Sequence, residues 1–184
     1  YDFKVGLDAS QSESNAITSK NNLMEFSPSV SLKEGNGTLT IGLISFIESG
    51  NQSSFHAYPN VKYSYDWKPA SLVAYAGING KMHKNALNNF AIENPFIGNV
   101  AIENSNEKLN LYVGARGSIG TKTAYLLNAN LKQTENDAYF VVDNSDMRKY
   151  TIIYDGKNAS SFHLSAEVTH QSNSKLRLFG KLGI

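Results

Sequence analysis

His163, Ser165 and Glu167 are the residues whose types could supply a base, a nucleophile and an orienting carboxylate. They stand two apart in the segment SFHLSAEVTHQ, which alternates like a β-strand. Residues two apart on a strand are separated by about 6.5 to 7 Å, too far for the direct hydrogen bonds that activate a nucleophile. The expected role is a polar row on one strand face, and the chain is not expected to be an enzyme. His163 and His170 have opposite parity and cannot hold a metal from one face, while His56 and His83 have no partner at ligand spacing. Asp137, Asp143 and Asp146 offer oxygen ligands for a hard cation, but their spacing matches no calcium loop. Gly114, Gly117 and Gly120 lie near a strand end with no following helix to set against a phosphate. No metal and no cofactor is expected.

The elements that carry these residues follow from composition. Apolar types make up 41% of the 184 residues and charged types 18%, below the roughly 25% charged residues of ordinary soluble chains. Asn, Ser, Thr, Gly and aromatics fill the gap, a mixture that suits strands and turns. A net charge of +1, with no block of five like charges, gives no electrostatic footprint for nucleic acid. Cysteine is absent, which removes disulfides and thiolate metal sites without fixing a compartment. Residues 1 to 10 lack the basic start and apolar run of a secretion signal, and no window approaches 18 consecutive apolar residues.

Alternation is the dominant pattern. Leu176, Leu178, Leu182 and Ile184 share one parity against Arg177, Phe179 and Lys181. Phe162, Leu164, Ala166 and Val168 oppose His163, Ser165, Glu167 and Thr169. Leu109, Leu111, Val113 and Ala115 oppose Asn110, Tyr112, Gly114 and Arg116; Phe3, Val5, Leu7 and Ala9 oppose Lys4, Gly6, Asp8 and Ser10; Val61, Tyr63, Tyr65 and Trp67 oppose Lys62, Ser64, Asp66 and Lys68. Two segments are less regular. The phase changes at Ile44 to Phe46, as at a bulge or a loop start, and Leu126 falls on the polar side of the run containing Tyr125, Leu127, Ala129 and Leu131.

Soluble strands average about 5 to 6 residues, whereas strands that span a bilayer need about 9 to 11. The pattern predicts roughly nine strands, near 1–10, 23–33, 37–47, 55–67, 71–82, 108–118, 122–134, 150–171 with an interruption, and 174–184. Short turns are expected at Lys33 to Gly37, Lys68-Pro69-Ala70, Ile119-Gly120-Thr121 and Ser172-Asn173, alternating with longer connections at 11–22, 48–54, 83–107 and 135–149. Outer-membrane barrels alternate tight periplasmic turns with extracellular loops in this way. The expected fold is therefore an all-β, antiparallel, up-and-down transmembrane barrel wall, a single segment over 1–184. Because nine is odd and both ends fall within alternating runs, the remaining strands are expected from the same barrel or another chain.

The run Glu93-Asn94-Pro95-Phe96-Ile97, the strand KLNLYVGARGSIG, and the later stretches AYFVVDNS, YTIIYD and SSFHLSAEVTHQSNSKLRLFGKLG resemble the barrel portion of TonB-dependent-receptor-like proteins of the Bacteroidota type. The resemblance covers roughly residues 71–184 and implies the bacterial outer membrane, with uptake of a small-molecule nutrient. No plug domain or TonB-contacting segment is present in the matching stretch.

Within this reading Tyr63, Tyr65, Trp67 and Tyr125 form an interfacial girdle, in competition with a sugar platform. Phe162, Leu164, Val168, Leu176, Leu178 and Leu182 face lipid, while Tyr112, Arg116, His163, Glu167 and Arg177 face the lumen. The partners are outer-membrane lipid, further strands and a small-molecule ligand, with no nucleic acid. The alternatives are a scaffold barrel without transport and a soluble all-β binding module.

Overall fold

In the computed structural model the described residues are 2–13, 18–50, 53–68, 71–98, 101–154, 156–172 and 176–184, and side chains are described from residue 22 onward within these ranges, except at 50 and 68. The expected turns at Pro69-Ala70 and Asn173 lie outside them, as do the side-chain directions of Phe3, Val5, Leu7 and Ala9. Among the described residues the chain is all-β with one short helix. Its strands are β1 (Asp2–Glu13), β2 (Thr18–Glu34), β3 (Gly37–Gly50), β4 (Ser54–Lys68), β5 (Leu72–His83), β6 (Ser105–Ile119), β7 (Thr123–Glu135), β8 (Ala138–Val142), β9 (Tyr150–Tyr154), β10 (Asn158–Gln171) and β11 (Arg177–Gly183), with α1 spanning Leu87–Glu93. Nine of them form one antiparallel sheet in the order β1-β2-β3-β4-β5-β6-β7-β10-β11, and β8 and β9 pair separately. Among the described residues β1 does not pair with β11, so the sheet is open. No helix among them is long and apolar enough to cross a membrane.

The meander puts the junctions β2–β3, β4–β5, β6–β7 and β10–β11 at one end, here the turn end, and the junctions β1–β2, β3–β4, β5–β6 and β7–β10 at the other, the loop end. Gly35 (φ 55°) and Gly120 (φ 63°) occupy left-handed backbone in two tight reversals, where a side chain would be strained.

Four sequence expectations need correction. The 11–22 connection is mostly strand, since Gln11 pairs with Lys20 and Ser12 with Ser19. A ladder joins backbone groups, so polar side chains there hide the pairing. The 83–107 connection contains α1 and the start of β6, and 135–149 contains β8. The interruption expected in the 150–171 run separates two elements, but only the second belongs to the main sheet: β9 leaves it to pair with β8, and β10 lies beside β7. No bulge interrupts Ile44 to Phe46, where the register runs unbroken from Gly37↔Tyr65 to Glu48↔Ser54. Irregularities occur instead at Asp66–Lys68, Asn79–Lys81 and Glu107–Leu109.

The core is confined to the loop end. Leu23, Phe46, Tyr58 and Met82, with Ile44 against them, form a small cluster on the polar face of the sheet, which explains the phase change at Ile44. A second cluster joins the long connections to each other: Phe90 of α1 and Ile152 of β9 pack with Leu87, Ile97, Ile102 and Phe140. Helix α1 ends at Asn94, before Pro95, which disfavours helical backbone in the residue preceding it. The middle of the sheet is one layer thick. The accessible surface is 12141 Å², against about 8,750 Å² for a compact monomer of 20.2 kDa. The excess, about 3,400 Å², is larger than a standard protein–protein interface of about 1,600 Å².

Candidate functional site

Residues directly opposed in an antiparallel pair lie on the same face, so the register assigns every strand. Val113 pairs with Ala76 and Ala129, Ala76 with Tyr63, Tyr63 with Leu39, and Leu39 with Leu32. In the other direction Ala129 pairs with Leu164, Leu127 with Ala166, and Ala166 with Leu182. These rows define an apolar face. Among the described side chains, every large apolar one exposed on the main sheet lies on that parity except Phe179, which pairs with Thr169 on the opposite face. Phe162, Leu164, Val168, Leu178 and Leu182 all belong to it and are exposed. Leu176 is exposed too, but it precedes β11 and its carbonyl accepts from the Ser172 N–H in the turn. Polar groups also occur on this parity: Ser45 opposes Phe26, Gln133 opposes Leu109, and His170 opposes Leu178 and Thr123, with its Nδ1 2.8 Å from Thr123 Oγ1.

Tyr63, Tyr65 and Trp67 share this face toward the turn end of β4, and the Tyr65 and Trp67 rings meet edge to face with centroids 6.2 Å apart. Trp67 is 67% exposed. Tyr125 lies at the same end on β7, where its hydroxyl donates to the Ser71 carbonyl at 2.9 Å. These rings are aligned at one end of the face rather than clustered round a concavity.

The opposite face is polar. Tyr112, Arg116, His163 and Glu167 lie on it, opposed to Gly77, Val73, Asn130 and Leu126 respectively, and Arg177 opposes Gln171. Glu167 binds Lys181 at 2.7 Å, and His163 and Ser165 are opposed to Asn130 and Asn128 rather than engaged with each other. Tyr75 and Tyr112 lie with ring centroids 6.3 Å apart, each over a glycine of the neighbouring strand. A Cβ on Gly77 would sit 2.4 Å from the Tyr112 hydroxyl, and one on Gly114 would sit 2.4 Å from that of Tyr75. These two glycines allow the tyrosine rings to approach the neighbouring backbone.

At the loop end Glu107 is nearly fully buried, with His83 Nε2 at 3.2 Å and Lys132 Nζ at 3.3 Å from Oε2. Beside it a cleft of about 350 Å³ is lined by Glu48, Glu103, Glu135, Asn104, Asn106 and Asn136 among others. These groups bind one another: Asn104 Nδ2 donates to Glu48 at 2.6 Å, Asn136 Nδ2 to Glu103 at 2.8 Å, and Lys108 pairs with Glu135 at 2.7 Å. The network fastens the long connections to the sheet. Among the described residues no group of three or more metal-ligating side chains is placed to hold an ion. Asp137, Asp143 and Asp146 accept from nearby backbone N–H groups. The Arg148 side chain and backbone, which donate to Asp146, hold its carboxyl below the usual range.

Sequence reading missed Glu107 and the Tyr58–Asn106 hydrogen bond, which depend on partners far along the chain. The available signal was local: Ile44, Phe46 and Leu126 break parity because the polar face also packs apolar groups. No protein family, curated protein or solved structure matches the chain significantly.

Proposed function

We propose that this chain forms wall of a bacterial outer-membrane β-barrel of the TonB-dependent-receptor-like kind, with its apolar face in lipid and its polar face on a water-filled lumen, and that the barrel takes part in nutrient uptake. The observation that carries the wall is the one-sided exposure: from Met24 on β2 to Leu182 on β11, the exposed large apolar side chains of the sheet, Phe179 apart, share one face. Strand length points the same way. β2, β4 and β6 have 17, 15 and 15 residues, which at about 3.3 Å per residue and a tilt near 40° exceed a hydrophobic band of about 25 Å. A soluble sandwich would need a second sheet over the apolar face, and among the described residues none packs there. The open edges of β1 and β11 would leave backbone groups unpaired in hydrocarbon at several kcal/mol each, so further strands complete the ring. The uptake role rests on the family resemblance alone; a scaffold barrel shares the same wall.

Trp67 is the chain's single tryptophan and reports the assignment directly. In the closed, folded barrel reconstituted into vesicles, with any tryptophan of the completing strands replaced by phenylalanine, lipids brominated near the headgroup should quench its fluorescence strongly, and lipids brominated at the bilayer centre should quench it weakly. Absence of quenching by both would remove the membrane reading.

A further inference from the structure

On the polar face, Lys62, Ser64, Tyr75 and Arg116 line a cleft of about 240 Å³ whose remaining wall is Val73 and Leu126. The loop-end cleft is larger, but its carboxylates and amides already bind one another. This one differs in its unused donors. Lys62 Nζ sits 5.9 Å from the Tyr75 ring centroid, and neither it nor the Arg116 guanidinium makes an ion pair among the described residues. The carboxylates nearest Arg116 in register, Asp66 and Glu167, are each two strands away, about 9.5 Å. Glu167 is held by Lys181 at 2.7 Å, and Leu126, the apolar residue out of phase on the polar face, stands between Glu167 and Arg116.

We infer that Lys62 and Arg116, with the Ser64 hydroxyl, form a binding site for an oxyanion group, a carboxylate or a phosphate, on the polar face. Guanidinium presents a planar fork of N–H donors that matches two oxygens of such a group, and lysine adds a mobile point charge. Val73 and Leu126 give the cleft an apolar wall, while both cationic head groups stay exposed and within reach of a ligand from solvent. The volume suits a small anion or one anionic end of a larger ligand. The site belongs to the polar face whether or not lipid covers the other.

Inorganic phosphate and acetate, each titrated separately into the folded protein and followed by nuclear magnetic resonance of the anion, test the site. At least one should bind saturably, and Lys62→Gln or Arg116→Gln should weaken that binding tenfold or more. Lys181→Gln, on the same face but paired with Glu167, should leave it unchanged. Binding of phosphate alone assigns a phosphate ligand, and binding of acetate alone a carboxylate. Circular dichroism of each variant verifies that the sheet is retained; if one variant unfolds, the other carries the test, and Arg116→Lys keeps the charge while removing the fork. No saturable binding of either anion, or binding unaffected in the folded variants, overturns the site. Bromolipid quenching of Trp67 on the same samples is independent, so loss of quenching with retained anion binding removes the barrel and leaves the site.

Discussion

Val113→Arg separates lipid from water at the apolar face. Val113 lies mid-strand in β6, is 56% exposed, and is flanked in register by Ala76 and Ala129. Neither alanine can pair with a guanidinium or shield it. At the midplane of a bilayer an outward arginine on a barrel costs about 2 to 4 kcal/mol, a shift of about 30- to 900-fold in the folding equilibrium. In water the same half-exposed position would tolerate the change within about 0.5 kcal/mol. The comparison is His163→Arg, an exposed polar-face position opposed to Asn130, where arginine meets water under either hypothesis and should shift stability by no more than about 0.5 kcal/mol. Urea titrations of both variants in phospholipid vesicles, read through Trp67 fluorescence, give the two free energies. An unchanged urea dependence would show that the same transition is being compared. Equal effects of the two substitutions would refute the assignment of lipid to the Val113 face.

Gly77→Ala should destabilise the folded state by about 1 to 3 kcal/mol, because its Cβ would meet Tyr112 Oη at 2.4 Å; adding Tyr112→Ala should recover part of that loss, and strictly additive effects in the same denaturation assay would dismiss the contact. Lys132→Met should destabilise by about 1 to 3 kcal/mol, since it leaves the buried Glu107 carboxylate with His83 alone; a loss below about 0.5 kcal/mol in urea unfolding would show that His83 suffices.

The sheet was legible because alternation is a local property. Phe162 to Val168 and Leu109 to Ala115 announce a face in seven residues, and the register then follows from turns such as that at Gly120. Pairing without apolar alternation was not legible: Gln11–Glu13 and Thr18–Asn22 are polar, and their ladder uses backbone groups that sequence patterns do not record. β9 has strand chemistry, but whether it joins β10 or leaves the sheet depends on β8 and on Phe90, some 60 residues earlier in the chain. That Tyr65, Trp67 and Tyr125 share one face near the turn end was readable from parity and nearness to short turns. Lys62 and Arg116 were readable as polar-face residues, but their shared cleft was not. It arises because β5 lies between β4 and β6 and puts Tyr75 beneath Lys62 and in the same cleft wall as Arg116.

Hydrogen-bond accounting also assigns different work to the two ends of the polar face. At the loop end, Asn85 holds Glu103 and Ser105, Asn136 holds Glu103, and Asn104 holds Glu48, so residues from both long connections meet β3 and β6 through satisfied polar contacts. The Phe96–Gly98 segment is bonded in turn to Tyr150, where the Gly98 N–H meets the Tyr150 carbonyl at 2.8 Å and the Tyr150 N–H meets that of Phe96 at 2.9 Å. Moving one connection therefore breaks bonds in the other, and the cap acts as one body fixed to the strands. Mid-sheet the arrangement reverses: the backbone is fixed by ladders on both sides, while the Lys62 and Arg116 head groups are left free to meet a ligand. Rigid supports beneath uncommitted charged groups limit the reorganisation that binding would otherwise require. Under the proposed anion site, that division makes Arg116, not the loop-end carboxylates, the residue whose loss should register first in anion affinity.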